Sequence, residues 1–244
     1  MSQTTPDQRP QHEQADQGEQ PVLARIGMYM YPNMTMLDVL GPHQVLGLCP
    51  GIEVFTFART TEPVKTDTGA TIVPDHGFDD LPEFDVLLVG GGPNAHSEMT
   101  DQKVLDTLIR VGDQARYVTS VCSGSLILAA AGLLDGYKAN THWAYREVLA
   151  TFPEVELADG RVVIDRNRMT GGGVTAGIDF SFALIGLLAG DETASLIQLL
   201  CEYNPAPPYN TGHPDVAPEQ LVTTAQGFVR SMAPQLFARL GQTV

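Results

Sequence analysis

The chain has 244 residues, of which 43% are hydrophobic and 18% charged, and it carries a net charge of −15 from 14 lysines and arginines against 29 acidic residues. That length and balance fit one soluble α/β domain with a large core. They exclude a nucleic-acid-binding surface, which needs clustered cations, and no apolar run is long enough to span a membrane.

The opening "MSQTTPDQRPQHEQADQGEQP" is polar and rich in Gln and Pro, without the apolar stretch of a signal peptide. Residues 1 to about 21 are expected to be a disordered extension, and residues 22–244 a single domain. Three unevenly spaced cysteines without zinc-ligand spacing point to a reducing cytoplasm and no disulfide framework.

Ile26 to Tyr31, "IGMYMY", reads as a first buried strand. "MLDVLGPHQVLGLC" follows with a short helical pattern that holds Asp38 and ends at Cys49. Glu53 to Ala58 is a second strand, and "DTGATIVPD" a short strand or hairpin. Asp85 to Val89 is a clear strand running into Gly90-Gly91-Gly92. "TDQKVLDTLIRVGDQA" has helical periodicity, with Thr100 as its expected N-cap. Tyr117 to Val121 is β-branched and apolar, Cys122-Ser123-Gly124-Ser125 is a turn of small residues, and Ser125 to Leu134 is helix-forming. "KANTHW" is a short strand ending near His142, "AYREVLATF" a helix and "RVVIDRNRMTGG" a hairpin. Two helices, "VTAGIDFSFALIGLLAG" and "DETASLIQLLCEY", precede a Pro-rich segment and a final helix from about Glu219.

Alternating strands and helices imply a mostly parallel sheet sandwiched by helices. Ligands bind such sheets beyond the carboxyl ends of the strands. Asp38, the glycines and Cys122 all follow strand ends, so neighbouring strands would gather them in one crevice. Cys122 is either a buried core cysteine or a nucleophile at the mouth of a helix, where orphan N–H groups favour a thiolate. Gly91 and Gly92 offer backbone N–H groups as an oxyanion hole, or glycine dihedrals for a tight turn. Asp38 is a helix cap or a proton donor whose pKa is raised by burial beside a thiol. His142 follows a strand and reaches the crevice as a structural or supporting group. Cys49 and Cys201 read as structural, and His213, in "GHPD", lies in a late Pro-rich loop.

These motifs resemble the ThiJ/PfpI superfamily, whose fold is flavodoxin-like and similar to class I glutamine amidotransferases, with a nucleophile elbow. "LDVLGP", "VTSVCSGSLILAAAGLLDGYKANTHWAYREVL", "MTGGGVTAGIDFSFAL" and "EYNPAPPYNTGHPD" look like its isonitrile hydratase branch, over roughly residues 22 to 230. The resemblance implies that Cys122 is the elbow nucleophile and Asp38 the acid that meets it. Ser123 stands where that branch usually has Thr, keeping the hydroxyl and dropping a methyl; the implied catalytic role is a hydroxyl bonding the water or Asp38 and a backbone N–H facing the intermediate beside those of Gly91 and Gly92. A peptidase-like branch carries His there, so Ser123 argues against a Cys–His peptidase. The implied reaction adds water to an isocyanide to give an N-substituted formamide through a cysteine thioimidate, with no metal or organic cofactor. A homodimer is expected, with the Pro-rich arm from Asn204 to Pro218 packing on a partner or closing the site. Two rivals stay open: glyoxalase- or deglycase-like chemistry, whose branches usually carry Glu at the acidic position, and a non-enzymatic small-molecule or redox sensor. A related group adds a helix-turn-helix regulator of the AraC type, for which the final helix here does not suffice.

Overall fold

The computed structural model describes residues 21–241; the expected disorder of residues 1 to 20 lies outside them. In chain order the elements are β1 (Ala24–Tyr29), α1 (Met36–Leu46), β2 (Ile52–Phe57), β3 (Val64–Lys65), β4 (Thr71–Ile72), β5 (Val86–Val89), α2 (Ala95–Thr100), α3 (Gln102–Gln114), β6 (Tyr117–Val121) and α4 (Gly124–Ala130). Then follow β7 (Lys138–Ala139), a 3-10 turn at Trp143–Tyr145, α5 (Arg146–Leu149), β8 (Glu156–Leu157), β9 (Val162–Asp165), β10 (Arg168–Gly171), α6 (Ala176–Ala189), α7 (Asp191–Leu200), α8 (Glu219–Met232) and α9 (Pro234–Ala238).

Six strands form the central sheet in the order β2-β1-β5-β6-β10-β9. Every pairing is parallel except the β9–β10 hairpin at one edge. All four residues of β5 are buried, which is why it reads as a continuous apolar run rather than an alternating one, and the last four of β6 are buried too, Thr119 and Ser120 among them. Helix α1 packs against α6 and α6 against α7, while α4 packs against α2, α3 and α5. The sheet thus has a helical layer on each side.

The chain leaves β1 toward β2 on one side and reaches β5 on the other, so a topological switch point opens between β1 and β5. Register brings the strand ends level there: Tyr29 lies opposite both Phe57 and Val89, and Val89 opposite Ser120. The turns that follow β1, β5, β6 and β10 therefore meet at one end of the sheet.

Local boundaries differ from the sequence reading in instructive ways. Asp101, not Thr100, caps α3, its carboxylate accepting from the amides of Lys103 and Val104. A carboxylate there also opposes the positive end of the helix dipole. Thr100 instead ends α2, with its hydroxyl donating back to the His96 carbonyl at 3.1 Å. Helix α4 stops at Ala130, four residues early, because the turn that follows passes through Gly132 at φ +71°. The strand in "KANTHW" covers only Lys138 and Ala139; the Asn140 amide leaves it to bond the Thr170 hydroxyl at 2.9 Å. Helix α1 ends at Leu46, three residues before Cys49.

Candidate active site

Cys122 stands between β6 and α4 with φ +58°, a left-handed conformation rare for a residue with a Cβ. Such a residue costs about 1–3 kcal/mol and persists only where its surroundings hold it. Here both sides of its backbone are clamped. Its amide donates to the carbonyls of Gly171 and Gly172, and its carbonyl accepts from the hydroxyls of Ser125 and Thr141. The elbow also needs Gly124, since a Cβ there would lie 2.1 Å from the Val89 carbonyl oxygen.

Asp38 lies in the first turn of α1 and is fully buried. It does not cap the helix. Its Oδ2 accepts the Gly91 N–H at 2.8 Å, across the switch point. Its Oδ1 is buried without a hydrogen-bond partner among the described residues. Burial raises the Asp38 carboxyl to about 7, opposed by the Gly91 amide and by the neighbouring Cys122 thiol.

The thiol of Cys122 is pushed well above its ordinary value, first by burial and then by the charge of Asp38; the backbone amides of Ser123 and Val174 pull the other way. The amides that the helix-mouth argument relies on are present, but burial and the Asp38 carboxyl oppose them. Desolvation and a buried carboxyl outweigh two amides and a short helix. What the geometry supplies is a thiol–carboxyl pair that titrates as a unit.

The oxyanion expectation for Gly91 and Gly92 is also redirected. The Gly91 amide is committed to Asp38, and the Gly92 amide donates to the Ser123 hydroxyl at 2.9 Å. The Ser123 side chain thus braces the glycine turn and does not bond Asp38. Glycine is required at position 91 for close approach: a Cβ there would lie 2.5 Å from the Ser123 nitrogen, 2.6 Å from its Oγ and 3.0 Å from Asp38 Oδ2. The amides directed at the sulfur are those of Ser123 and Val174.

Val174 is a residue the sequence reading did not single out. It sits in the turn between β10 and α6 with φ +21°, strained for a β-branched side chain. Its signal was present in "GGGV", a second glycine-rich strand-to-helix turn at the same sheet end. His142 does reach the site, lining the same cleft as Cys122. Its Nδ1 accepts the Ala144 amide at 3.2 Å, and burial lowers its pKa to about 4, so the ring is neutral near pH 7.

The cleft over Cys122 has a volume of about 540 Å³. Gly92, Ser123 and Val174 line its floor, and Tyr145 with Phe228, Val229 and Met232 of α8 supply an apolar wall. This wall, more than the Pro-rich arm, covers the site. His213 does not line this cleft; it is exposed, paired with Asp215 at 3.3 Å, in an adjoining cavity of about 660 Å³ that shares His142 and Val174 with it. Cys49 is buried away from the cleft, and Cys201 follows α7, half-buried. Among the described residues no three His, Cys, Asp or Glu side chains gather as a metal-holding group.

A parallel sheet with a strained cysteine elbow at its switch point and a buried acid opposite defines a cysteine-centred, flavodoxin-like α/β protein. The chain belongs to the DJ-1/PfpI family, whose model matches residues 24–187. It is 45% identical over 215 residues to the isonitrile hydratase of Pseudomonas putida, covering 88% of this chain and 92% of that one. It is 33% identical over 189 residues to the HTH-type transcriptional regulator GbdR of Pseudomonas aeruginosa, but spans only 50% of that protein. Among solved structures, a ThiJ/PfpI family protein from Pseudomonas syringae superposes with a TM-score of 0.84 at 39% identity, over 96% of each chain.

Proposed function

We propose that this protein is an isonitrile hydratase, adding water to R–N≡C to give R–NH–CHO. The observation that carries the reading is the Cys122–Asp38 pair beneath an apolar cleft: a buried acid with a pKa of about 7 is half protonated near neutrality, beside a thiol. An isocyanide needs a proton and a nucleophile delivered to the same terminal carbon. Asp38 gives its proton to that carbon while the Cys122 sulfur bonds to it, and the thiol proton returns to Asp38. The product is a thioimidate, R–N=CH–S–Cys122. Asp38, protonated again, gives that proton to the imine nitrogen, and its carboxylate then takes a proton from the water that adds to the carbon. As the C–S bond breaks, the new hydroxyl's proton passes to the sulfur, leaving R–NH–CHO, the Cys122 thiol and protonated Asp38. Splitting the addition in this way is ordinary nucleophilic catalysis.

The amides of Ser123 and Val174 steady charge on the sulfur in both steps. Gly91 holds the acid and Gly92 holds Ser123, so the glycines act one step back from the substrate. The neutral His142 ring shapes the cleft. Tyr145, Phe228, Val229 and Met232 receive the hydrocarbon substituent, and the reaction needs no cofactor. The relative at 45% identity supports this chemistry over glyoxalase-like or sensor readings. We also propose residues 22–244 as one folding unit that works as a cytoplasmic homodimer. Leu196, Leu199 and Leu200 of α7, exposed by 53, 77 and 65%, offer the apolar surface for pairing.

The test is purified protein with cyclohexyl isocyanide, following N-cyclohexylformamide by mass spectrometry, with methylglyoxal in parallel. Formamide release supports the reading. Turnover of methylglyoxal alone would replace it with a glyoxalase, and inactivity toward both would favour a sensor.

A further inference from the structure

We propose that Tyr31 is a positioning residue for Asp38, acting through the single peptide that joins Gly90 to Gly91. The Tyr31 hydroxyl donates to the Gly90 carbonyl oxygen at 3.1 Å, and the N–H of the same peptide, at Gly91, donates to Asp38 Oδ2 at 2.8 Å. The chain of donors runs phenol, amide, carboxylate. Its consequence for turnover rests on the proposed function; its consequence for the carboxyl does not.

The relay is buried end to end, with Tyr31 1% exposed and Asp38 0%. A donor on the carbonyl oxygen draws charge through the amide and makes its N–H a stronger donor, and low local dielectric enlarges that effect. The peptide cannot easily turn away. The Gly91 carbonyl accepts the Thr35 amide at 2.8 Å, and the Gly90 Cα lies against Val39, where a Cβ would come within 2.8 Å of Cγ2. The Tyr31 ring packs against that of Tyr29 in a tilted arrangement, with ring centroids 5.7 Å apart.

The titratable surroundings keep the phenol a donor. Burial pushes Tyr31 well above its ordinary value, and Glu98, Asp38, Cys122 and Tyr29 add to the shift, so it stays protonated near neutrality. Asp38 in turn feels Cys122 and Asp67, and Tyr145 feels both Cys122 and Asp38. Tyr31 reaches the carboxyl through the peptide, by stabilising its ionised form. Removing the hydroxyl weakens the Gly91 donor, so the Asp38 pKa must rise.

The experiment follows the Gly91 amide resonance of glycine-¹⁵N-labelled full-length protein against pH, in wild type and Tyr31→Phe. The wild-type midpoint is expected near 7 and the variant's about half a pH unit higher. Thr119→Val is the control, since it deletes a comparable buried bond, from Thr119 Oγ1 to the Leu87 carbonyl at 2.8 Å, that does not lead to Asp38. It should cost stability without moving the midpoint. Replacing Tyr31 with 3-fluorotyrosine strengthens the donor and keeps the ring, so the midpoint should fall; this variant also serves if Tyr31→Phe does not fold. With cyclohexyl isocyanide, the alkaline limb of the Tyr31→Phe rate profile should move up with the Gly91 midpoint, and kcat should fall severalfold at unchanged KM. A midpoint identical in wild type, Tyr31→Phe and the fluorotyrosine protein overturns the relay. Absence of isocyanide turnover with a shifted midpoint overturns the proposed function and leaves the relay standing.

Discussion

Cys122 and Cys49 are both buried, 5% and 2% exposed, and burial pushes both thiols upward. Cys49 belongs to the apolar core, and its thiol makes a weak contact to the Pro50 carbonyl at 3.8 Å. Cys122 has a left-handed backbone, two amides on its sulfur and a buried carboxyl coupled to its proton. In the proposed reaction the partners of Cys122, and not its own pKa, set it apart from Cys49. Burial alone makes a small hydrophobe.

The strongest way to break that contrast is to delete each sulfur. Cys122→Ser should lower formamide release by a factor of about 1000 or more, because a serine hydroxyl is far harder to ionise and no thioimidate can form. Cys49→Ala should leave kcat within about twofold and cost about 1–2 kcal/mol of stability through its cavity, read by urea melts. Equal rates for wild type and Cys122→Ser would make the two cysteines alike.

Asp38→Asn keeps the shape and removes the proton, so the rate should fall about 100-fold. Stability moves the other way. A carboxyl raised from 3.8 to about 7 favours the fold fully below its unfolded pKa, and that contribution is lost as pH rises through 7. The penalty at pH 8 and above is on the order of 4 kcal/mol. Asp38→Asn should therefore gain on wild type between pH 5 and pH 8 in thermal melts. A gap independent of pH would show that the carboxyl titrates normally.

The sheet was legible because its strands are written locally, whereas the residues alone left Asp38 open between cap and proton donor and Cys122 open between core and elbow, and only the family resemblance chose between them. An apolar run marks β5, valines and a threonine mark β6, and small residues mark the turns that need them. The convergence of Asp38, Gly91 and Cys122 followed from parallel order on the condition that their strands are neighbours, which the order β1-β5-β6 meets. The charge state did not, because whether amides or desolvation win at Cys122 depends on how completely the site is buried. Nor did the use of the glycine amides, since Gly91 and Gly92 lie within one turn yet serve different acceptors. The wall over the cleft was hidden for another reason. Phe228, Val229 and Met232 lie more than a hundred residues beyond Cys122, on a helix none of whose residues is fully buried. Its periodicity says that it is amphipathic and nothing about which cleft it covers.

Ser123 tests the brace between the cysteine elbow and the Gly90–Gly92 turn. Ser123→Ala leaves the buried Gly92 amide without its acceptor, at a cost of about 1–3 kcal/mol in stability. The rate should fall about 5- to 20-fold as the turn that holds Asp38 loosens, a fraction of that energy appearing in the transition state. Ser123→Thr keeps the hydroxyl, and its fixed rotamers suit a bond in one direction, so its rate should stay near wild type. Equal rates for Ser, Thr and Ala at this position would mean that the Gly92 turn holds itself.

The smallest effect is expected at the wall. Met232 is 44% exposed and Phe228 63%, so neither carries the fold, and an apolar substituent laid against them buries surface that water now reaches. Truncating Met232 to Ala would leave roughly 40 Å² of a bound substituent in water, which at about 25 cal/mol per Å² is worth about 1 kcal/mol, or roughly fivefold in KM. Cyclohexyl isocyanide should show that rise, and methyl isocyanide, too short to reach α8, should not. Both substrates should keep their kcat, because the reacting carbon stays on Cys122 and Asp38 whatever lies against the helix. A fall in kcat for both would instead tie α8 to the geometry of the elbow, making it part of the machinery that separates Cys122 from Cys49.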